Sequence, residues 1–191
     1  MKSICVYCGS SDNIDGEYKA AAHQMGTLLA ARGLELIYGG GRTGLMGIVA
    51  DAVLEAGGRV TGVITEQFNT PELAHPGLTA MEIEPSLHTR KARMAELAEG
   101  FVALPGGFGT LDELFEIITW AQVGLHEKPI GLLNVNGYFE PLLTFLQHVS
   151  NEGFIYTEHH DLYKINGTPE GLLELLNNHR PPEGLERWVQ R

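Results

Sequence analysis

The chain has 191 residues, 43% of them hydrophobic and 19% charged, which suits one domain with a sizeable core and excludes a disordered chain. Its formal net charge of −11 argues against broad nucleic-acid binding, which needs a basic face, but not against one small phosphorylated ligand held by a few local groups. No apolar run has the length of a membrane span, and MKSICVYCGSS lacks the apolar core of a signal peptide, so a cytoplasmic protein with no membrane partner is expected.

Short apolar, β-branched runs alternate with longer helical patterns. Residues 3–8 read as a strand, 16–32 as a helix stopped at Gly33, and 34–38 (LELIY) as a strand running into Gly39-Gly40-Gly41. A helix over 44–56 ends at Gly57-Gly58 and leads into a strand over 59–65. Residues 66–78 carry two prolines and little periodicity, and read as a loop. Then come a strand over 79–84, a helix over 86–99, a strand over 100–104, a helix over 109–124, a strand over 129–135 and a helix over 138–152. A short strand near 162–166 and a helix near 169–178 complete the pattern. This alternation predicts an α/β fold, a doubly wound parallel sheet between two helical layers, in a single domain over 1–180 with a polar tail over 181–191. In such folds ligands sit beyond the carboxyl ends of the strands.

Cys5 and Cys8 are spaced C-x-x-C. A redox pair of that spacing opens a helix, whereas Ser3 to Tyr7 reads as a strand, on which positions 5 and 8 point to opposite faces. Small buried thiols are expected, and two cysteines cannot supply a four-ligand metal set.

Two glycine-rich loops stand at strand-to-helix turns. The first, GGGRTGLMG, contains G-x-G-x-x-G at Gly39, Gly41 and Gly44, with Glu66 about 20 residues on, which fits a dinucleotide fingerprint. It stands on the second strand rather than the first, and a tight turn without ligand is the alternative. The second, Gly106-Gly107-Phe108-Gly109-Thr110, opens onto the same crevice, so the two could clasp one phosphate between free backbone N–H groups. A P-loop is excluded because no G-K-[ST] occurs, and His126-Glu127 is no zinc-protease motif because no second His follows at the required spacing.

Asp112, Glu113 and Glu116 follow the second loop, in what reads as the first turns of its helix. Acidic residues there stabilise a helix dipole, yet three of them beside an anion cradle exceed that need. In SLHTRKARMAEL an apolar stripe runs through Leu87, Met94, Leu97 and Phe101, and Arg90 falls on it. A charge in that place snorkels to water, pairs, or faces a wet cleft. Lys91 and Arg93 read as a solvated face or as further phosphate contacts. A phosphorylated sugar fits this set, with phosphate on the loop and a carboxylate at the sugar carbon, where glycosidic cleavage develops positive charge. The nearly all-apolar helix after Glu113 is buried on several sides, in the sheet packing or at a subunit interface.

PGGFGTLDE, together with GGGRTGLMG and HTRKARM, resembles the Lonely Guy (LOG) family of cytokinin riboside 5′-monophosphate phosphoribohydrolases, whose signature is PGGxGTxxE. The resemblance extends to about residue 155 and is weaker beyond it. It implies a Rossmann-like fold, no cofactor, a homodimer or larger assembly, and hydrolysis of N6-substituted AMP or AMP to free base and ribose 5-phosphate. It implies Arg90 and Glu113 as catalytic residues. Substrate contacts are implied for Lys91, Gly106, Gly107, Phe108, Gly109, Thr110, Leu111, Asp112 and Thr119, for Glu72 in the preceding loop, and for Gly44 and its neighbours at the phosphate.

The lysine decarboxylase label that family members often carry is not supported by these residues. That chemistry uses pyridoxal phosphate on a lysine, and Lys91 is the one lysine of five near the proposed site. Two further readings stay open at this level: a non-catalytic carrier of a nucleotide or of molybdenum cofactor, and a dinucleotide oxidoreductase built on Gly39, Gly41, Gly44 and Glu66. Phe108, Met94 and Met46 are candidate pocket walls, core packing being the alternative for the methionines.

Overall fold

The computed structural model describes residues 1–183 and Leu185, so most of the expected polar tail lies outside the described residues. Seven strands, β1 (Ser3–Tyr7), β2 (Glu35–Tyr38), β3 (Val60–Thr65), β4 (Ala80–Glu84), β5 (Phe101–Ala103), β6 (Ile130–Leu133) and β7 (Lys164–Asn166), form one sheet in the order β4-β3-β2-β1-β5-β6-β7. Every neighbouring pair is parallel. Among the described residues six helices cover the sheet: α1 (Gly16–Ala31), α2 (Gly44–Glu55), α3 (Leu87–Leu97), α4 (Phe108–Gln122), α5 (Glu140–Asn151) and α6 (Pro169–Asn177).

Two cores lie on opposite faces of the sheet, because side chains alternate along each strand. Ile4, Val6 and Cys8 pack with α1, α2 and α6 residues such as Met25, Val49 and Leu172. Cys5 and Tyr7 pack on the other face with Met94 of α3 and Leu114 and Ile117 of α4. This is the three-layer, doubly wound, Rossmann-like arrangement. Cys5 and Cys8 are both free and buried, on opposite faces, and burial pushes both thiols well up.

The chain winds outward from β1 to β4, then returns to place β5 on the other side of β1. The strand order therefore reverses between β1 and β5, and the loops after these strands part to leave a crevice. Those loops are Cys8–Asp12 and Pro105–Gly107. They touch where the Gly9 N–H donates to the Pro105 carbonyl at 3.0 Å.

Three local expectations change. Helix α4 begins at Phe108, so Asp112 and Glu113 stand in its second turn, and no acidic residue occupies the first. Helix α3 ends at Leu97, and Phe101 belongs to β5, so the stripe stops one turn early. Leu87, expected on the core side, is 51% exposed, while Met94 is fully buried. Residues 66–78 are more ordered than a plain loop. They open with a 3-10 turn, Glu66–Phe68, and return to form an antiparallel bridge between Gly41 and Ala74.

Candidate active site

A cavity of about 280 Å³ opens at the crevice beyond β1 and β5. Arg90 and Glu113 lie in it, with Gly107, Gly109 and Thr110 of the second glycine loop beside them. The first glycine loop adds Gly39, Gly41 and Thr43, and the loop after β1 adds Cys8 and Ser10. The remaining wall is apolar: Met46, Ile64, Phe68, Leu73 and Leu87.

Arg90 reaches the cavity from the first turns of α3, a helix secured by Ser86, whose Oγ accepts the Thr89 N–H at 3.1 Å while the Thr89 hydroxyl accepts the Ser86 N–H at 3.3 Å. The guanidinium is fixed twice. Its Nε donates to the Val63 carbonyl at 2.8 Å and its Nη1 to Glu113 Oε1 at 3.1 Å. Each side chain of this pair is 13% exposed. Gly39 makes room for it, since a Cβ there would lie 2.1 Å from Arg90 Nη2. Burial raises the Glu113 carboxyl above its ordinary value, and the Arg90 charge and hydrogen bond oppose that rise. A carboxylate held this way is more basic than one in water.

The two glycine loops end differently. The first N–H groups of any helix lack intrahelical acceptors. At α2 two of them are already engaged: the Gly44 N–H donates to Asp12 Oδ1 at 2.8 Å, and the Leu45 N–H to the Gly9 carbonyl at 2.9 Å. Gly44 has φ +60°, and a Cβ on it would lie 2.4 Å from the Ser10 backbone, which explains glycine there. Helix α4 is preceded by Gly107, which offers no side-chain cap, and its first turn borders the cavity. Its open N–H groups and positive dipole end suit an anion. Gly106 lies behind them, its carbonyl accepting the Tyr138 hydroxyl at 2.7 Å.

The other expected contacts lie apart from this cavity. Lys91 points away from Arg90 and is buried between Asp112 and Glu116, with Nζ at 2.9 and 3.0 Å from their oxygens. These hydrogen bonds raise its pKa against the lowering effect of burial. Phe108 is 94% exposed. With Leu111, Asp112 and Thr119 it borders a shallow depression on the outer side of α4. Glu72 is exposed on the 66–78 segment, next to cavity-lining Leu73. Glu66 is likewise exposed. Of the candidate walls, Met46 lines the cavity and Met94 lies in the core. Sequence reasoning missed Ser10, Thr43, Asp12, Phe68 and Leu73. A usable signal was the polar run Ser10-Ser11-Asp12 directly after the first strand, where a parallel sheet presents ligand-binding loops.

A larger cavity, about 480 Å³, lies between α4, α5 and β7. It has neither glycine loop nor arginine. Among the described residues no group of three or more His, Cys, Asp or Glu could hold a metal ion, and no helix is long and apolar enough to cross a membrane.

A family model described as "Possible lysine decarboxylase" matches residues 46–176. The chain is 50% identical over 155 residues to a cytokinin riboside 5′-monophosphate phosphoribohydrolase of Rhodococcoides fascians, covering 81% of this chain and 78% of that one. It belongs to the LOG family. A second LOG relative, cytokinin riboside 5′-monophosphate phosphoribohydrolase LOG7 of Arabidopsis thaliana, is 49% identical over 155 residues, covering 81% of this chain and 71% of the relative. The molybdenum cofactor binding protein from the phototrophic bacterium Rippkaea orientalis superposes with a TM-score of 0.71 over 93% of this chain and 97% of its own. At 20% identity that likeness is one of fold. In this LOG chain the signature Pro105–Glu113 thus spans the loop after β5, the open start of α4 and the carboxylate that meets Arg90.

Proposed function

We propose that this LOG-family chain is a nucleotide N-glycosidase that hydrolyses the base–ribose bond of cytokinin riboside 5′-monophosphates or AMP, releasing free base and ribose 5-phosphate. The observation that carries this reading is the Arg90–Glu113 pair beside an uncapped helix start in one cavity. The 5′-phosphate takes the N–H groups at the start of α4, with Ser10 and Thr43 at hand. The ribose C1′ then lies at Glu113, and the base extends toward the apolar wall.

As the C1′–N bond breaks, its electron pair leaves with the base and positive charge builds on the sugar. The Glu113 carboxylate stabilises that charge and takes a proton from the water whose oxygen bonds C1′, and this proton passes on to the departing base nitrogen, which leaves the base neutral and Glu113 again a carboxylate. Arg90 holds Glu113 ionised and oriented. Lys91, Asp112 and Glu116 hold α3 against α4. No cofactor takes part in this scheme.

The decarboxylase description suits these residues poorly. Lys91, the lysine nearest the site, is charged and held by two carboxylates, an unsuitable state for an amine that must form a Schiff base.

A homodimer accompanies this reading. On the outer face Phe108, Phe115, Phe145 and Phe154 are exposed, and α5 buries none of its residues although it is amphipathic. The contacts implied for Phe108, Leu111 and Thr119 fit a dimer that turns this face toward the partner's site. A cytoplasmic location is part of the same proposal.

The test is incubation with AMP and isopentenyladenosine 5′-monophosphate, beside the matching ribosides, with chromatography of the free base. Base released from the monophosphates alone supports the glycosidase and its phosphate anchor. Tight nucleotide binding without product favours a carrier instead.

A further inference from the structure

We propose that His75 and Asp51 form a latch that fixes residues 66–78 as the apolar wall of the cavity, and so set its preference for nucleotides with an apolar group on the base. The inference rests on the nucleotide-site reading above. Segment 66–78 contributes Phe68 and Leu73, two of the five large apolar side chains that face the cavity. Its outward course from β3 carries a single 3-10 turn. Its return is held to the first glycine loop by two backbone bonds, Arg42 N–H to the Leu73 carbonyl and His75 N–H to the Gly40 carbonyl, both 2.9 Å. Arg42 Nη1 adds a bond to the Pro71 carbonyl at 3.1 Å.

His75 closes this set. Its side chain is 7% exposed, and its two ring nitrogens have distinct partners. Nδ1 accepts the Gly77 N–H at 3.2 Å, so the ring proton is on Nε2, which donates to Asp51 Oδ1 at 3.0 Å. Asp51 is largely exposed on α2 and packs into no core, so the contact with His75 is what its carboxylate does here. One imidazole thus ties the segment to α2 and stiffens its own following turn, two residues beyond Leu73. A short ordered segment can bury a ligand's apolar group without first losing conformational freedom, whereas a loose one must be ordered on binding. A plain purine leans on this wall little. An N6-alkyl group placed against Phe68 and Leu73 depends on it.

The test compares Asp51→Ala, Asp51→Asn and His75→Ala in the full chain. Dissociation constants for AMP and isopentenyladenosine 5′-monophosphate are read by calorimetry in a Glu113→Gln background, and amide hydrogen exchange is followed at Arg42 and His75. We expect Asp51→Ala and His75→Ala to weaken the isopentenyl nucleotide about tenfold and AMP less than twofold, the scale of one or two buried methylenes lost. Asp51→Asn keeps an acceptor and should restore the parent ratio. Exchange at both amides should quicken in Asp51→Ala. Equal weakening of both nucleotides, no weakening of either, or unchanged exchange overturns the latch. Turnover by the parent chain is a separate measurement. Its absence would count against the glycosidase and leave the binding ratio to decide the latch, and failure of both nucleotides to bind would remove both proposals.

Discussion

Arg90 Nη1 stands 3.1 Å from Glu113 Oε1, although 23 positions separate the two in sequence. Both side chains are nearly closed off from water, and the arginine is anchored independently on the Val63 carbonyl. The carboxylate therefore has a fixed direction and a counter-charge before any ligand arrives. Glu113→Gln keeps the shape and the Arg90 hydrogen bond and removes the negative charge. Turnover should fall at least ~100-fold. AMP affinity, read by calorimetry, should stay within about threefold; turnover close to the parent's would sink the catalytic assignment.

The pH profile should report Glu113. Its carboxyl lies above the ordinary value of 4.5, chiefly through burial. If the carboxylate is the working form, turnover falls as pH drops through that raised value, giving an acid limb above 4.5. Stability has the opposite sign. The folded state binds the proton more readily than the unfolded chain, so Glu113 becomes less costly to folding as pH falls through its raised value toward 4.5. Denaturant midpoints of the parent should gain on those of Glu113→Gln over that window. No relative gain would contradict the raised pKa.

Gly39→Ala tests whether the position of the guanidinium matters. The added Cβ would fall 2.1 Å from Arg90 Nη2, a flexible group that can move aside. The fold should survive with its melting temperature nearly unchanged, while turnover falls ~100-fold because the Arg90–Glu113 geometry is displaced. Retained turnover would mean that the pair tolerates misalignment.

Lys91→Met removes the cation between Asp112 and Glu116 while keeping an apolar stem. Stability should fall by about 1 kcal/mol. Lys91 also helps lower the Glu113 pKa, so the acid limb of turnover should move upward, and Lys91→Arg should restore it. A limb that does not move would confine Lys91 to fold stability.

Phe145→Asp tests the dimer. This residue is 60% exposed on α5, away from the cavity. Sedimentation equilibrium should show a dimer for the parent and a shift toward monomer for the variant, as a charge entering an apolar interface is costly. A parent that sediments as a monomer would remove the dimer proposal.

Much of this was legible in the chain. The alternation of strands and helices follows from hydrophobic periodicity, which is local. The opposed faces of Cys5 and Cys8 follow from the pleat. The charge of Arg90 on an apolar stripe marked it before any partner was known. What local pattern could not carry was contact between distant segments.

The α/β alternation, the two glycine turns and the arginine and carboxylate near them are all written in short-range spacing along the chain. How those groups meet depends on packing between distant segments. The packing of α3 against α4 turned Lys91 away from Arg90 and toward Asp112 and Glu116. Asp12, 32 positions from Gly44, bonds the start of α2, while the start of α4 carries no side-chain cap. His75 reached Asp51 across 24 positions and set the segment that walls the cavity. Those pairings depend on the parallel sheet bringing its loops to one edge, a long-range consequence of strand order that spacing along the chain does not encode.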